Sequence, residues 1–462
     1  MVQKTTTPHR SDLLGALTTV CALAGAGCST SAAAATAAAL AQHALQTSAV
    51  SHAALMASNR TVSSCADDGG AGTLRNVVAG AGPGDTIDLT GLPDADPSCV
   101  TSTITLATAL IPSVSLTLKG PPGHILTLAG GGSDRVIGSM QSFEIDDLSI
   151  SHGRRSDRGG CLSTTASIVL RHSNVSDCIV ASPSKYAFGG GVSGSTVSLL
   201  DGSRVEASQA LATKTQGSIF ALGLGGGIYA ASQLFCADST ISGNTASLLG
   251  GGAFSYGTGS GTVSLDRCTV DGNTGGGIGV APKTGGQQPG TIMIRESTVS
   301  GNGGAGIFAQ ASLTLTASTV AFNTSASNNA GGIYVTGTLT AQSSIIASNA
   351  APAGSPHADL QIGGANTLLG ADNLVVSTDV IAGAGVITVT ADPQLQPLAS
   401  NGGPTRTHAL GAASPAIDKG NNAPLLTTDQ RGAGFAREVP AGVPDIGAYE
   451  FRGDGIFIDD FE

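Results

Sequence analysis

Ionisable side chains are sparse in this chain, at 11% of residues, and their densest group lies between residues 144 and 177. The group contains Glu144, Asp146, Asp147, His152, Arg154, Arg155, Asp157, Arg158, Arg171, His172 and Asp177. Neighbouring carboxylates can bind Ca²⁺, paired carboxylates can act as acid and base, and an arginine can remove a proton. The candidate catalytic residues are therefore Asp146, Asp147, His152, Arg154 and Arg155. The simpler interpretation, which the charge-poor composition favours, is that they are solvated turn residues.

A second group of polar side chains lies towards the end of the sequence. It contains His408, Asp418, Asp429, Arg431, Asp445 and Glu450. Irregular backbone leaves many polar groups in need of partners, so we expect these side chains to hold loops together rather than to catalyse. Calcium could serve there, but neither an Asp-x-Asp-x-Asp-Gly loop nor a Gly-Gly-x-Gly-x-Asp repeat supports it. The sequence therefore predicts no cofactor and leaves metal binding open.

An internal repeat defines the elements that must position these residues. Short strands recur with an aliphatic anchor at positions 150, 175, 205, 241, 270, 299, 320 and 346. An asparagine follows the anchor by three positions at Asn244, Asn273, Asn302, Asn323 and Asn349. Repeats of roughly 20 to 35 residues are typical of solenoids. We expect the asparagines to form a ladder inside a turn, with each side-chain amide bonding backbone groups of the adjacent coil.

Two further elements recur in a fixed order within each repeat. A glycine cluster such as Gly225-Gly226-Gly227-Ile228 comes first, and an alternating strand such as Val263-Ser264-Leu265 follows such a cluster. Period-2 alternation over three or four residues indicates strands, and glycine is expected to supply the positive φ needed at the bends. Three short strands per repeat predict an all-β fold, a parallel β-helix of three sheets.

Composition limits the classes of protein that remain. Glycine accounts for 67 of 462 residues, aromatic residues for 3% and hydrophobic residues for 41%. This chain is too apolar to be disordered, so it buries small and β-branched side chains. The formal net charge of -11 lacks the basic surface that phosphate backbones require. We therefore expect no nucleic-acid partner, and we expect a monomer.

The first residues are typical of an exported chain. Basic residues up to Arg10 precede an uncharged run from Leu13 to Ala24, and small residues follow it. This predicts a signal peptide over 1–35 and an Ala-rich linker over 36–59. Lipid attachment at Cys28 and an uncleaved anchor are the alternatives. No later segment resembles a transmembrane span, so the mature chain is predicted to have none.

Six further cysteines agree with export, because an even number in an oxidising compartment predicts disulfides. They are Cys65, Cys99, Cys161, Cys178, Cys236 and Cys268. Six cysteines allow 15 pairings. Our hypothesis is that sequence neighbours pair, as Cys65 with Cys99, Cys161 with Cys178, and Cys236 with Cys268.

Both ends of a solenoid need a cap, because they expose core and strand edges. Residues 73–78 predict a short amphipathic helix with Thr73 as N-cap, covering the open core. The expected organisation is an N-terminal cap and first coils over 60–145, β-helix repeats over 146–385 and a loop-rich C-terminal cap over 386–451. Residues 452–462 predict a short sorting-like tail.

Several motifs resemble those of a known class of proteins. Cys65-Ala66-Asp67-Asp68-Gly69-Gly70, Gly84-Asp85-Thr86-Ile87-Asp88-Leu89 and the Gly-Gly-Gly coils resemble bacterial secreted right-handed parallel β-helix proteins of the pectin-lyase-like superfold. Residues 386–451 resemble a choice-of-anchor Q domain, through Thr428-Asp429-Gln430-Arg431-Gly432 and Asp445-Ile446-Gly447-Ala448-Tyr449-Glu450. The resemblance implies a right-handed helix, secretion or attachment to the outer cell surface and, for many members, no known activity.

Two functional hypotheses follow. The first is a non-catalytic exported β-helix that presents an adhesin-like surface to glycans or to a cell envelope. The second is a polysaccharide lyase or glycoside hydrolase acting on acidic polysaccharide, with its groove around residues 144 to 185. Lyases of this superfold hold Ca²⁺ on stacked carboxylates, which is the role the resemblance would give Asp146 and Asp147. The missing catalytic motifs favour the first hypothesis.

Overall fold

The computed structural model describes residues 57–452 apart from 100, 184–185, 214–220, 257–261, 283–289, 354, 356, 365–366 and 438–441. The predicted signal peptide, nearly all of the linker and the tail after residue 452 lie outside the described residues. The chain divides into two units, and what is described lies almost wholly in the second, Ser58–Glu462.

A short helix follows the first strand of the second unit. Helix α1 (Leu74–Ala79) has Thr73 as its N-cap, whose hydroxyl accepts a hydrogen bond from the backbone N–H of Asn76 at 3.3 Å. Its buried face consists of Leu74 and Val78, which pack into the main core. The predicted N-terminal helix is thus present.

The strands are numbered in chain order, and most of them belong to two long sheets. The 19-stranded sheet contains β1 (Asn59–Thr61), β2 (Thr86–Asp88), β4 (Leu116–Lys119), β6 (Ile137–Ser139), β7 (Phe143–Asp146), β10 (Leu162–Thr164), β11 (Ser167–Arg171), β15 (Val192–Leu200), β19 (Ile228–Ala237), β22 (Ala253–Tyr256), β23 (Thr262–Asp266), β25 (Ile278–Ala281), β26 (Thr291–Arg295), β28 (Ile307–Ala309), β29 (Ser312–Thr316), β31 (Ile333–Val335), β32 (Leu339–Gln342), β34 (Leu360–Ile362) and β35 (Leu368–Ala371). The 12-stranded sheet contains β3 (Thr103–Leu106), β5 (Thr127–Gly130), β8 (Ser149–Ser151), β12 (Asn174–Ser176), β16 (Arg204–Glu206), β20 (Thr240–Ser242), β24 (Thr269–Asp271), β27 (Thr298–Ser300), β30 (Thr319–Ala321), β33 (Ile345–Ala347), β36 (Asn373–Val375) and β37 (Ile387–Val389). Two small sheets contain β9 (Arg154–Arg155), β13 (Ile179–Ser182), β17 (Gln209–Ala212) and β21 (Thr245–Ala246), and β14 (Tyr186–Phe188) and β18 (Leu222–Leu224).

Each coil contributes three main strands, of which the first two belong to the 19-stranded sheet and the third to the 12-stranded sheet. Equivalent residues stack directly, as in the column of anchors Ile241, Val270, Val299 and Val320, all fully buried. Every strand pair in the described residues is parallel. The predicted all-β parallel β-helix is therefore confirmed, and its core is a continuous stack of aliphatic side chains.

The bend between the second and third strands differs from the prediction. Glycine was expected at the bends, but the left-handed position here is held by Asp147, His172, Asp238, Arg267 and Glu296, with φ of 45° to 55°. Glycine does hold the bend after the third strand in several coils, as at Gly243, Gly272 and Gly301. A left-handed residue with a side chain costs roughly 1–2 kcal/mol, and stacking on both neighbouring coils maintains it.

The asparagines predicted to form a ladder lie one above another, with all five at most 8% exposed. Asn273 shows the pattern: its Nδ2 donates to the Asn302 Oδ1 at 2.9 Å and to the Ile241 carbonyl at 3.1 Å. Ser208 precedes this column and Asp359 ends it, since the Asp359 Oδ1 accepts from the Asn349 backbone N–H at 2.9 Å.

The third residue of each glycine cluster packs on this ladder. A Cβ at Gly252 would lie 3.0 Å from the Nδ2 of Asn273, and one at Gly277 would lie 3.0 Å from the Nδ2 of Asn302. The glycine clusters are therefore needed where the backbone passes close to the buried amides.

A second ladder, made of serines, precedes the third strand. The Ser297 backbone N–H donates to Ser318 Oγ, and that of Ser318 donates to Ser344 Oγ, both at 3.2 Å. The backbone N–H of Ser344 then donates to the Asn373 Oδ1 at 3.0 Å. All four residues are buried, so these hydroxyls satisfy backbone groups at the bend.

Three disulfides join the cysteines, as Cys65 with Cys99, Cys161 with Cys178, and Cys236 with Cys268. These are the pairs of the sequence-neighbour hypothesis. No helix within the described residues has the length and hydropathy of a membrane span.

The loop-rich residues 390–452, here called the flanking segment, lie further back along the coils than expected. Instead of covering the last coil alone, they contact the outer face of the 12-stranded sheet. Thr298 Oγ1 donates to the Gln430 Oε1 at 2.6 Å, and Ser300 Oγ lies 2.7 Å from the His408 Nε2. As a result, every residue of β24, β27, β30 and β33 is buried.

Candidate functional site

Two of the predicted catalytic residues lie together at one bend. Asp146 ends β7 and Asp147 follows in the left-handed bend, while His172 occupies the equivalent bend of the next coil. One ligand atom from each of the three lies within 4.8 Å of the others. Asp146 also forms an ion pair with Lys119 at 3.4 Å, and its Oδ1 lies 3.3 Å from the Nδ1 of His172. Two carboxylates and an imidazole are a donor set that could hold a divalent cation.

The other three predicted residues follow strand β8 and lie at the end of it opposite Asp146 and Asp147. His152 contacts the neighbouring Ser151 Oγ through its Nδ1 at 2.9 Å, and Arg154 is exposed on β9. Arg155 forms ion pairs with Asp134 at 3.0 Å and Asp157 at 3.5 Å. The structure thus divides the predicted cluster into two groups, Asp146 with Asp147 and the three residues after β8. In the second group the guanidinium of Arg155 is paired with the carboxylates of Asp134 and Asp157.

The ion pairs around Asp134 join successive coils. Burial acts to raise the pKa of Asp134, but hydrogen bonds from the backbone N–H groups of Ala109 and Arg135 and the charge of Arg155 hold it below its ordinary value. Asp157 is likewise held by Arg135 at 3.0 Å. These ion pairs therefore link residues of successive coils.

A feature that the charge-based reasoning missed is a column of aromatic rings on the outer face of the 19-stranded sheet. Strand register places Tyr229, Phe254, Gly279, Phe308 and Tyr334 next to one another on five successive coils. Phe308 and Tyr334 stack with ring centroids 5.3 Å apart and are half-buried. We call the four aromatic residues of this column the aromatic strip.

Further rings extend the strip at one end. Phe188 stacks on Tyr229 with centroids 4.8 Å apart, and Tyr256 meets Phe254 edge to face at 4.9 Å. Burial raises the pKa of Tyr229 to about 12, so its hydroxyl stays neutral. Tyr186, which packs on Phe188, is 45% exposed.

The sequence does carry a signal for the aromatic strip. Each of its residues stands two positions after the last glycine of a cluster, as in Gly227-Ile228-Tyr229 and Gly332-Ile333-Tyr334. The intervening aliphatic residue points into the core, so the aromatic residue must point outward.

A cleft of about 500 Å³ lies between the coils and the flanking segment. Its lining includes Asp238, Arg267 and Arg431 together with small residues of the flanking segment. Arg267 donates two hydrogen bonds of 2.7 Å to Asp238, which raise the pKa of its guanidinium. Arg431 is paired with Asp429 at 2.5 Å, so both arginines of the cleft already hold a carboxylate.

The other polar residues predicted in the flanking segment also have contact partners within the structure. The Arg431 guanidinium lies between the rings of Phe435 and Tyr449, with its carbon 4.1 and 3.9 Å from their centroids. His408 contacts the Gln396 carbonyl at 2.7 Å, and burial lowers the pKa of its ring.

The acidic residues of the group bond backbone groups of the same segment. Asp445 accepts hydrogen bonds from the backbone N–H groups of Asp418 at 2.9 Å and Phe451 at 2.6 Å. Glu450 accepts from the backbone N–H of Asp445 at 3.0 Å. These contacts fit the predicted structural role.

Comparison with known proteins gives one likeness. No protein-family profile matches the chain, and no curated protein matches it. Among solved structures the chain is similar to the crystal structure of pectate lyase Pel9A, with 13% sequence identity and a TM-score of 0.43. The matched region covers 86% of this chain and 96% of that chain.

Proposed function

We propose that the chain is an exported or surface-associated β-helix protein that binds polysaccharide without modifying it. The observation that carries the proposal is the pair Phe308 and Tyr334 of the aromatic strip, whose half-buried rings stack on two adjacent coils, whereas Tyr229 and Phe254 are buried. Only 3% of the residues are aromatic, yet four of them share one outward column. Two adjacent, partly exposed rings on a rigid sheet are the kind of surface feature that marks a binding site.

The chemistry of the strip suits sugars. The C–H groups on one face of a pyranose ring stack on aromatic rings, and the Tyr334 hydroxyl adds a polar group beside the apolar ring. Neighbouring coils lie about 4.8 Å apart, so Phe308 and Tyr334 form an adjacent pair of rings on which a sugar ring can stack.

The arrangement of charges supports a role without catalysis. Asp146 is paired with Lys119 and His172, and Arg155 with Asp134 and Asp157. A catalytic carboxylate and its base must converge on one substrate bond, whereas these groups lie at opposite ends of β8. Export is supported by the three disulfides, which persist in oxidising compartments.

Affinity electrophoresis in gels containing neutral or acidic polysaccharides tests the proposal. We expect retardation by at least one polysaccharide and a loss of about tenfold in affinity when Phe308 and Tyr334 are both replaced by alanine, because each stacked ring contributes about 0.5–1.5 kcal/mol. Phe235→Ala is the matched control, since this half-buried ring faces outward from the same sheet outside the strip. Equal retardation of the double variant and the wild type would refute the proposal.

The group of Asp146, Asp147 and His172 supports a second candidate, a Ca²⁺-dependent polysaccharide lyase or hydrolase acting on acidic polysaccharide. Asp146 and Asp147 would hold the ion, which would neutralise the carboxylate of the uronate. In the presence of Ca²⁺, a lyase would release unsaturated uronate products that absorb in the ultraviolet, and a hydrolase would release new reducing ends without that absorbance. Either activity, and its loss in Asp146→Asn, would establish this candidate and refute the non-catalytic one.

A further inference from the structure

Glu296 occupies an unusual position under the flanking segment. It holds the left-handed bend between β26 and β27, with φ of 45°, and it is only 3% exposed. The equivalent bend residues on nearby coils bind the flanking segment: the Arg267 carbonyl accepts from Thr405 Oγ1 at 3.0 Å, and Ser343 Oγ donates to the Asn421 carbonyl at 2.8 Å. Glu296 therefore lies within the contact between the coils and the segment.

The carboxyl of Glu296 is poorly compensated there. Its Oε1 is buried and has no hydrogen-bond partner among the described residues. A buried carboxylate without hydrogen bonds is costly, whereas a neutral carboxyl in the same place is tolerated. The site thus accepts the protonated form more readily than the ionised form.

We infer that Glu296 makes the docking of the flanking segment sensitive to pH, so that ionisation of its carboxyl loosens the segment from the coils. The inference concerns the contact between the segment and the 12-stranded sheet and does not depend on polysaccharide binding. It identifies the flanking segment as a cover that acid conditions keep closed.

The charged groups around Glu296 agree with this direction. Burial is the main cause that raises its pKa to about 7, and the negative charge of Asp266 adds to it. Arg295 and Arg267 on the coils and Arg437 on the flanking segment act in the opposite direction without cancelling the effect of burial.

Other titratable groups in the contact between the coils and the flanking segment also contribute to the pH dependence of docking. Burial raises the pKa of Asp271, which faces Arg406, Arg204 and Glu206, and that of Asp445. It also raises the pKa of Glu450 to about 8, with Asp445 and Asp429 adding to the effect and Arg437 opposing it. His408 acts in the opposite sense, because its lowered pKa means that docking weakens as the pH falls below the ordinary value of 6.5.

The sign and size of the response follow from linkage. When the segment lifts, the carboxyl regains its ordinary pKa of 4.5, so the docked state holds its proton more tightly than the open state does. Docking is then strongest below about pH 4.5 as far as Glu296 is concerned, and weakens up to about pH 7. Two and a half pKa units correspond to an increase of up to about 300-fold in the opening equilibrium.

Hydrogen exchange of the full chain across this pH range tests the inference. After correction for the intrinsic exchange rates, we expect backbone amides of the flanking segment to open more often at pH 7.5 than at pH 5, and Glu296→Gln to reduce that rise. We assign the pH dependence of opening that remains in this variant to Asp271, Asp445 and Glu450. Glu144→Gln is the matched control, because Glu144 lies on β7 in an ion pair with Arg171.

Three results would overturn the inference. The first is a wild-type segment whose opening does not change between these pH values, which needs no variant. The second is a folded Glu296→Gln variant with the wild-type profile. The third is a profile that Glu450→Gln flattens while Glu296→Gln leaves it intact, since the response would then arise inside the segment.

Discussion

Replacing Asn302 by alanine removes one whole step of the asparagine ladder. Asn302 Oδ1 accepts hydrogen bonds from the backbone N–H and the Nδ2 of Asn273, at 3.0 and 2.9 Å. Its Nδ2 donates to the Val270 carbonyl at 3.1 Å and to the Asn323 Oδ1 at 2.8 Å. The Nδ2 of Asn273 keeps a second acceptor in the Ile241 carbonyl, but its backbone N–H bonds the Asn302 Oδ1. The variant therefore leaves a buried backbone donor without its acceptor.

The expected loss follows from these four contacts. A buried donor left without a partner costs about 1–3 kcal/mol, and each further net hydrogen bond contributes about 1 kcal/mol. We expect Asn302→Ala to lower the free energy of unfolding by about 3–5 kcal/mol in a urea titration followed by far-ultraviolet circular dichroism. Hydrogen exchange should accelerate first at Asn273 and at Asn323, because each coil contacts its neighbours.

Asn328 supplies the control, since it is exposed in the loop between β30 and β31. Asn328→Ala should change the free energy of unfolding by less than about 0.5 kcal/mol. A loss below about 1 kcal/mol for Asn302→Ala, or faster exchange spread evenly over distant coils, would show that the ladder does not stabilise the stack.

Three further perturbations follow from the fold. Gly252→Ala places a Cβ 2.7 Å from a carbonyl oxygen of the next coil, and we expect the crowding to lower the free energy of unfolding by about 1–3 kcal/mol in the same titration. Replacing Cys161 and Cys178 by serine opens the link between the residue before β10 and the bend after β12, with an expected loss of about 2–4 kcal/mol in thermal unfolding. Asp429→Asn leaves the buried Arg431 guanidinium without its anion, and we expect a loss of about 3–5 kcal/mol, seen as faster proteolysis of the flanking segment.

Matched controls separate these effects from general damage. A Cβ at Gly91 has Ala95 Cβ at 3.7 Å as its close neighbour, so Gly91→Ala should be nearly neutral. Asp94 is exposed, and Asp94→Asn should leave proteolysis of the flanking segment unchanged. Reduced wild-type protein should lose at least as much stability as the serine variant. Equal losses in test and control would contradict the assigned contacts.

Much of the fold can be predicted because each stacked coil requires the same type of residue at the same position. The aliphatic anchor at Val270 and the amide at Asn273 recur at a fixed separation, since one fills the core and the other bonds the next coil. The cysteine pairs follow for a related reason: residues near in sequence lie on the same or adjacent coils. The aromatic strip follows from its place after the glycine clusters, although charge-based reasoning overlooked it.

The position of the flanking segment could not be predicted in this way. The contact between Thr298 and Gln430 joins residues 132 positions apart, and nothing in either local sequence specifies the partner. Non-glycine residues at the first bend were missed for a similar reason, because the left-handed conformation of Glu296 is imposed by stacking rather than by local preference. The candidate catalytic residues were close in sequence, but β8 separates them in space.

The docking of the flanking segment on strands made much earlier has a consequence for biosynthesis. At a translation rate of roughly 5–20 residues per second, Thr298 emerges about 7–26 s before Gln430 can reach it. During that interval the outer surfaces of β24 to β33 are bare, including the apolar side chain of Ile345 that later packs against Ile446. Until the flanking segment arrives, the nascent coils therefore expose this apolar side chain and the strand faces that the segment later covers.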